Sequence, residues 1–139
     1  MDHQPQRPTI LVIDDAADAR DLLASVLEEL GVRVLTAASG AEGVAKVAED
    51  EPAMVVLDLL MDPMDGWETL RLLRLEAEQV PVVIVSARDR PQDKIRALQE
   101  GAHDYITKPF KPRAVAERLA RLLADRGYPV NDHGGGSSR

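Results

Sequence analysis

Short apolar segments alternate with amphipathic segments five times along this chain, and this alternation restricts the fold more than any other feature of the sequence. The apolar segments are rich in β-branched residues and carry almost no charge, as strands covered on both faces require. They comprise residues 9–13, 32–36, 53–57, 82–85 and a weaker segment around 105–106. We therefore predict five short, buried strands.

The segments between the strands have the residue spacing of helices with one apolar face. Their apolar residues fall within 22–30, 44–48, 70–73, 95–98 and 115–123. Ser39 and Glu42 form a capping box at the start of the second helix, and Gly31 and Gly101 are placed to end the first and the fourth. This alternation predicts an α/β fold, an open and doubly wound parallel sheet of five strands with helices on both faces.

The alternating pattern fills residues 9–125, which we predict to be a single domain. Residues 1–8 contain two prolines and no apolar periodicity, so we expect them to be a disordered lead-in. Residues 126–139 end in Gly-Gly-Gly-Ser-Ser-Arg, a composition typical of a flexible tail or of the start of a linker.

Charge and residue usage exclude several classes of function. The formal net charge is −7 and aromatic residues make up 3% of the chain, so we expect no direct binding to nucleic acid. Cysteine is absent, which excludes disulfides and thiolate metal sites. Because the polar N-terminus resembles neither a signal peptide nor a membrane span, we expect a cytoplasmic protein that does not enter a membrane.

Polar residues stand where the predicted strands end. Asp14 and Asp15 follow the first strand, Asp58 the third, Ser86 the fourth, and Lys108 comes shortly after the fifth. In an open parallel sheet the carboxyl ends of the strands meet along one edge, where ligands bind. Clustered carboxylates need a neutralising charge, which Mg²⁺ or a lysine can supply, and Mg²⁺ readily accepts phosphate oxygens as ligands. The sequence therefore predicts an acidic metal pocket with a carboxylate able to act as a nucleophile.

In this order along an alternating α/β chain, these residues resemble the receiver domain of two-component response regulators. The resemblance runs from about Thr9 to Leu123. Its motifs are Asp14-Asp15, Asp58-Leu-Leu-Met61, Met64-Asp65-Gly66, Ser86-Ala87, Gly101-Ala-His-Asp-Tyr105 and Lys108-Pro109-Phe110. It implies a flavodoxin-like (βα)5 receiver fold and a signalling switch that accepts a phosphoryl group, and not an enzyme.

The resemblance also implies a role for individual residues at the acidic pocket. Asp58 would accept the phosphoryl group, with Mg²⁺ as the cofactor. Asp15 would bind the metal directly beside Asp58, and Asp14 would position a metal-bound water. The backbone carbonyl of Leu60 would supply a third ligand.

Three further residues would respond to the phosphoryl group in a domain of this kind. Lys108 would pair with a phosphate oxygen, and Ser86 would swing its hydroxyl toward the acyl phosphate. Tyr105 would change its packing when Ser86 moves. The resemblance further implies a cis peptide bond between Lys108 and Pro109.

The partners implied are those of two-component signalling. A sensor histidine kinase or a histidine phosphotransfer protein would donate the phosphoryl group, and a downstream protein or a fused output domain would receive the signal. Ala114 and His103 stand at positions that are commonly acidic in the transcription-factor subfamily. We therefore expect a monomer or a weak homodimer. The tail is compatible with a stand-alone receiver and with one taken from a longer chain.

The chain departs from the usual family pattern after the phosphoacceptor. The proline is shifted by one position to Pro63, and Asp62 stands where the proline is expected. Leu60 and Arg88 occupy the variable positions that flank the site. Because Leu60 offers no hydrogen-bond partner to an attacking water, we predict a long-lived phosphorylated state.

Alternative functions remain open at this stage. Mg²⁺-dependent phosphatases also form an aspartyl-phosphate, but they usually place two aspartates two residues apart at the first strand, whereas Asp14 and Asp15 are adjacent. A receiver-like interaction module that is never phosphorylated typically lacks one of the site residues. A nucleotide-binding domain would need a glycine-rich loop after the first strand.

Trp67 is predicted to pack at the start of the third helix without a catalytic role.

Overall fold

All five predicted strands form in the computed structural model, which describes residues 7–61, 65–128 and 130. The strands are β1 Thr9–Ile13, β2 Arg33–Ala37, β3 Met54–Asp58, β4 Val82–Ser86 and β5 Asp104–Thr107. The helices are α1 Ala17–Glu28, α2 Gly40–Asp50, α3 Gly66–Glu76, α4 Pro91–Gln99 and α5 Pro112–Asp125. Strands β2 and β3 begin one residue later than predicted.

The strands form one parallel sheet in the order β2-β1-β3-β4-β5. Helices α1 and α5 cover one face, and α2, α3 and α4 cover the other. This arrangement confirms the predicted doubly wound α/β fold. Each face has its own apolar cluster, and every residue of β3 and β4 is buried. The third and fourth strands are therefore apolar because both of their faces are covered.

Local signals in the sequence set the ends of two helices. The Ser39 hydroxyl accepts a hydrogen bond of 3.1 Å from the backbone N–H of Glu42, as the predicted capping box requires. The Glu42 carboxylate accepts from the N–H of Ala38, one residue earlier than in the usual box. Helix α1 ends at Glu28, so Leu30 lies beyond it in a turn that reaches Gly31, whose φ is +82°.

Helix α4 differs from the prediction in the face that it buries. Ile95 and Leu98, which were expected to form its apolar face, are 55% and 51% exposed. The buried residues of this helix are instead Asp93 and Ala97. Helix α4 is therefore attached to the sheet by little apolar area and by a buried carboxylate.

After α5 the chain turns through Gly127, whose φ is +89°, and the N–H of Tyr128 donates to the carbonyl of Leu123. Val130 packs against the apolar cluster on the α1 and α5 face. In the part of the chain that the structure describes, no helix has the length and apolar character needed to cross a membrane.

Candidate functional site

Three carboxylates meet at the carboxyl edge of the sheet. Asp14 follows β1 and Asp58 is the last residue of β3, and their exposed fractions are 3% and 7%. Asp15, beside Asp14, is exposed. One carboxylate oxygen from each of the three residues lies within 4.8 Å of the others. The structure thus brings together the three aspartates that the sequence pattern placed at strand ends.

Lys108 places a positive charge among these carboxylates. Its Nζ lies 3.2 Å from Oδ2 of Asp58 and 3.4 Å from Oδ2 of Asp14. The Lys108 N–H donates to the carbonyl of Ser86, which ties the chain after β5 to the end of β4. The bond between Lys108 and Pro109 is cis, which confirms the prediction.

Burial and charge act in opposite directions on the two members of this ion pair. Burial raises the pKa of the Asp58 carboxyl, and the charge of Asp14 adds to this, whereas the N–H of Leu60 and the Lys108 ammonium lower it without compensating. Burial by itself lowers the pKa of Lys108, but the charges of Asp58 and Asp14 outweigh it, so that the pKa of Lys108 is raised. Lys108 is therefore firmly protonated, and Asp58 is a carboxylate whose charge is only partly compensated.

Backbone groups fix the orientation of both buried carboxylates. Oδ1 of Asp58 accepts a hydrogen bond of 3.0 Å from the N–H of Leu60, and Oδ1 of Asp14 accepts one of 2.9 Å from the N–H of Ala16. In each case the other oxygen, Oδ2, faces Lys108. One oxygen of each aspartate is thereby held by the chain, and the other is directed into the site.

The segment after Asp58 is fixed by a close approach of α3. The N–H of Gly66 donates to the carbonyl of Leu59 at 2.8 Å, and a Cβ at position 66 would overlap the backbone of Leu59. Only glycine fits this contact without displacing backbone. The side chain of Leu60 is 48% exposed beside the site. Asp62 and Pro63, which carry the departure from the family pattern, lie outside the described residues, as does Met64 of the Met64-Asp65-Gly66 motif.

Ser86 is the last residue of β4, and Tyr105 lies on the neighbouring strand β5, two register positions before the partner of Ser86. Ser86 is fully buried, and its hydroxyl accepts a hydrogen bond of 3.1 Å from the N–H of Arg88. Tyr105 is 8% exposed and its hydroxyl donates to the carbonyl of Arg88 at 2.6 Å. Burial raises the pKa of Tyr105, and the nearby Ser86 hydroxyl lowers it less. Both predicted switch residues thus hydrogen-bond to the backbone of Arg88, and Tyr105 lies inside the protein.

The sequence analysis missed the structural part that Arg88 and Asp93 play. Nε and a terminal nitrogen of Arg88 each lie 3.3 Å from a carboxylate oxygen of Asp93, which is 8% exposed. Their separation of five residues across a turn and a helix start is not a standard helical pair, so no sequence rule indicates it.

This arrangement has the groups that a phosphoryl group and a hard cation need. It combines a nucleophilic carboxylate, two further carboxylates able to hold a hard cation, an ammonium group and a buried hydroxyl. The carboxylates are acceptors for a metal, and the ammonium and hydroxyl are donors for phosphate oxygens.

A family model and several known proteins match most of this chain. The family model described as "Response regulator receiver domain" matches residues 10–120. The alkaline phosphatase synthesis transcriptional regulatory protein PhoP of Bacillus subtilis is 39% identical over 114 residues, which are 82% of this chain and 48% of PhoP. The probable transcriptional regulatory protein TcrX of Mycobacterium tuberculosis is 35% identical over 93% of this chain and 55% of its own length. The chain spans about half the length of these curated relatives.

Solved receiver structures have the same fold along almost their whole length. The receiver domain of the Francisella response regulator 1452 superposes with a TM-score of 0.80 at 32% identity, covering 86% of this chain and 98% of that one. A CheY-like receiver domain protein from Methanospirillum hungatei gives a TM-score of 0.82 at 26% identity, with coverages of 87% and 97%.

Proposed function

The chain belongs to the response-regulator receiver domain family, and from this premise we propose that Asp58 is the residue that accepts the phosphoryl group. A receiver domain of a two-component response regulator acts in phosphorylation-dependent signalling. The observation that carries the proposal is the contact of 3.2 Å between Asp58 and Lys108 at the edge where three carboxylates meet.

Asp58 would act as the nucleophile in a simple displacement. A carboxylate oxygen of Asp58 forms a bond to the phosphorus of a phosphohistidine, the P–N bond breaks, and the imidazole leaves and takes up a proton. The free oxygen, Oδ2, is the one that faces Lys108, since Oδ1 already accepts the N–H of Leu60. The Lys108 ammonium would then stabilise the oxygens of the transferred group.

The acidic cluster fits Mg²⁺. Asp14, Asp15 and Asp58 supply oxygens close enough to share one cation, and the exposed position of Asp15 leaves room for water ligands. We propose that Asp15, Asp58 and the backbone carbonyl of Leu60 bind the metal, and that Asp14 orients a water on it. Bound Mg²⁺ would supply positive charge to the phosphoryl oxygens.

Ser86, Lys108 and Tyr105 would convert the modification into a change of surface. Ser86 lies one residue beyond Val85, the register partner of Asp58 on the neighbouring strand. Its hydroxyl can donate a hydrogen bond to a phosphoryl oxygen, and Tyr105, which shares Arg88 with Ser86 as a hydrogen-bond partner, would follow the movement. The result would be a shift between two populated states that a partner protein can distinguish.

The donor would be a sensor histidine kinase or a histidine phosphotransfer protein. The signal would pass to a downstream protein or to a fused output domain, and the names of PhoP and TcrX as transcriptional regulators support the latter. We propose that residues 9–125 form the signalling unit, because α5 ends at Asp125. The chain would act as a phosphorylated switch and not as an enzyme with turnover of a substrate.

Phosphorylation can be tested by the intact mass of the purified chain. The chain is incubated with Mg²⁺ and acetyl phosphate, beside an Asp58→Asn control and a sample with EDTA. We expect one phosphoryl adduct in the wild type and none in either control. An adduct that persists in Asp58→Asn would place the acceptor elsewhere. If acetyl phosphate and a panel of histidine kinases both give no adduct, the chain is an interaction module that is not phosphorylated.

A further inference from the structure

Arg88 makes three contacts that link both switch residues to helix α4. Its N–H donates to the Ser86 hydroxyl, and its carbonyl accepts from the Tyr105 hydroxyl. Its guanidinium pairs with both carboxylate oxygens of Asp93 in the first turn of α4. A single residue in the turn between β4 and α4 therefore touches Ser86, Tyr105 and the helix at the same time.

The pairing with Asp93 is the part of this arrangement that fixes Arg88 in space. The side chain of Asp93 is 11% exposed, and a carboxylate buried to that extent needs a charged or hydrogen-bonding partner. The planar guanidinium group matches the two carboxylate oxygens with two nitrogens, a geometry that one ammonium nitrogen cannot reproduce. Because its side chain is held at two points, the backbone of Arg88 keeps a defined position relative to α4.

Helix α4 has few other contacts that hold it against the rest of the domain. Ala97 is its buried apolar residue, while Ile95 and Leu98 are more than half exposed. Arg96 stacks on Trp67 of α3, with its guanidinium carbon 3.9 Å from the ring centroid. A helix with so little apolar burial is expected to shift position at low cost, so a polar contact at its first turn has a large share in its placement.

We propose that Arg88 is a positioning residue of the switch, and that its ion pair with Asp93 holds Ser86 and Tyr105 in the arrangement that receives the phosphoryl group. The proposal rests on the function proposed for Asp58. It goes further in assigning the resting state of both switch residues to an ion pair outside the acidic pocket.

The hydrogen-bond directions explain why this arrangement favours phosphorylation. The Ser86 oxygen accepts from Arg88, so the Ser86 proton stays available for a phosphoryl oxygen. The Tyr105 hydroxyl is already held inside by the Arg88 carbonyl. Without the ion pair the turn can relax, and both residues then occupy this arrangement for only part of the time. The apparent affinity for a mimic of the phosphoryl group, such as beryllium fluoride, falls in proportion to that fraction.

The position of Tyr105 can be measured without phosphorylation. The chain has two tyrosines, so 3-fluorotyrosine incorporated into a Tyr128→Phe background reports on Tyr105 alone by ¹⁹F NMR. The variants are Asp93→Asn and the double change Arg88→Gln with Asp93→Asn, which leaves no unpaired buried charge. Glu100→Gln is the matched control, because it removes the carboxylate of the more exposed pair with Arg96 on the same helix. Thermal unfolding establishes that each variant is folded.

We expect the Tyr105 resonance to shift or broaden in both Asp93 variants and to stay in place in Glu100→Gln. Beryllium fluoride, a mimic of the phosphoryl group, should still bind both Asp93 variants together with Mg²⁺, with an apparent affinity about three- to tenfold weaker than for the wild type. If the resonance of the unphosphorylated variants matches the wild type, the proposal is wrong. This outcome is independent of whether Asp58 is phosphorylated, which the mass measurement decides separately.

Discussion

The Lys108 ammonium lies 3.2 Å from Oδ2 of Asp58, and this contact links the loop after β5 to the end of β3. Asp14, at the end of β1, shares the same ammonium at 3.4 Å. Three segments that are distant in the sequence thus meet at one positive charge. The two aspartates are buried and close together, so they repel each other. In the absence of a metal, this one lysine offsets that repulsion.

Replacing Lys108 by methionine should destabilise the metal-free chain. The two buried carboxylates would lose their shared partner, and we expect the free energy of unfolding to fall by about 2 kcal/mol, near the cost of leaving a buried charged group unsatisfied. Urea unfolding in EDTA at pH 7 measures the change. Lys111→Met, which removes an exposed lysine three residues away, should have little effect. Equal losses in the two variants would contradict the bridging role of Lys108.

The stability of the metal-free chain should depend on pH through Asp58. Burial raises the pKa of its carboxyl above the ordinary 3.8, so the folded chain holds this proton at a higher pH than the unfolded chain does. The free energy of unfolding therefore falls as the pH rises from about 3.8 through the pKa that Asp58 has in the folded chain. It stays lower at neutral pH.

Asp58→Asn removes this ionisation and should be more stable than the wild type at pH 7 in EDTA. The difference in the free energy of unfolding between the two chains should narrow as the pH falls below the pKa of Asp58 in the folded chain. Asp58 is then protonated in the wild type and, like asparagine, carries no charge. Urea unfolding of both chains between pH 4 and pH 8, as approximate limits, would show this. Asp15→Asn removes the exposed carboxylate of the cluster and should increase the free energy of unfolding by less than Asp58→Asn does. A wild type that is more stable than Asp58→Asn at pH 7 would refute the prediction.

The fold and the acidic cluster could be predicted from sequence because each depends on local signals. A strand covered on both faces must be apolar, as β3 and β4 are up to their last residue, so its limits are visible within one residue. Polar residues at strand ends must then meet at one edge, as Asp14, Asp58 and Lys108 do.

The orientation of α4 could not be predicted in this way. Helical spacing identified Ile95 and Leu98 as one apolar face, but spacing does not decide which face meets the sheet when a carboxylate is the buried group. Burial of Asp93 depends on Arg88, whose position is set by the turn after β4 and by Tyr105. Such a contact follows from tertiary structure, and no local pattern contains it.

Leu60 should slow the hydrolysis of the acyl phosphate. Its side chain is 48% exposed beside Asp58 and offers no hydrogen bond to an attacking water. We expect Leu60→Asn to hydrolyse its phosphoryl group faster by about two- to tenfold, less than the roughly hundredfold or more that a positioned general acid or base contributes. Loss of the phosphoryl adduct over time, followed by intact mass, gives the rate. Leu22→Asn changes a leucine of equal exposure, 49%, on α1 and should leave the rate unchanged. Equal rates in all three chains would rule out the effect.

Alanine at position 66 should disturb the site through the backbone. Its Cβ would overlap the backbone of Leu59, which cannot rotate away, and α3 or the segment after β3 must move. We expect a loss of about 1–3 kcal/mol in urea unfolding and a weaker response to Mg²⁺. Gly43→Ala is a comparison in which the added Cβ would meet the side chain of the buried Ile13 instead of backbone. A Gly66→Ala chain as stable as the wild type would show that the close approach carries no strain penalty.

The fluorescence of Trp67 should report on helix α4. The Arg96 guanidinium stacks on the indole ring, with its central carbon 3.9 Å from the ring centroid, so any movement of α4 relative to α3 changes the environment of the ring. Trp67 is the only tryptophan of the chain, and its emission is therefore assigned without ambiguity. We expect Arg96→Gln to shift this emission and to lower stability by about 0.5–1 kcal/mol. Glu100→Gln keeps the stacked guanidinium and should retain most of the wild-type emission. If Arg96→Gln and the wild type give the same spectrum, with and without beryllium fluoride and Mg²⁺, the stacking does not connect α4 with α3.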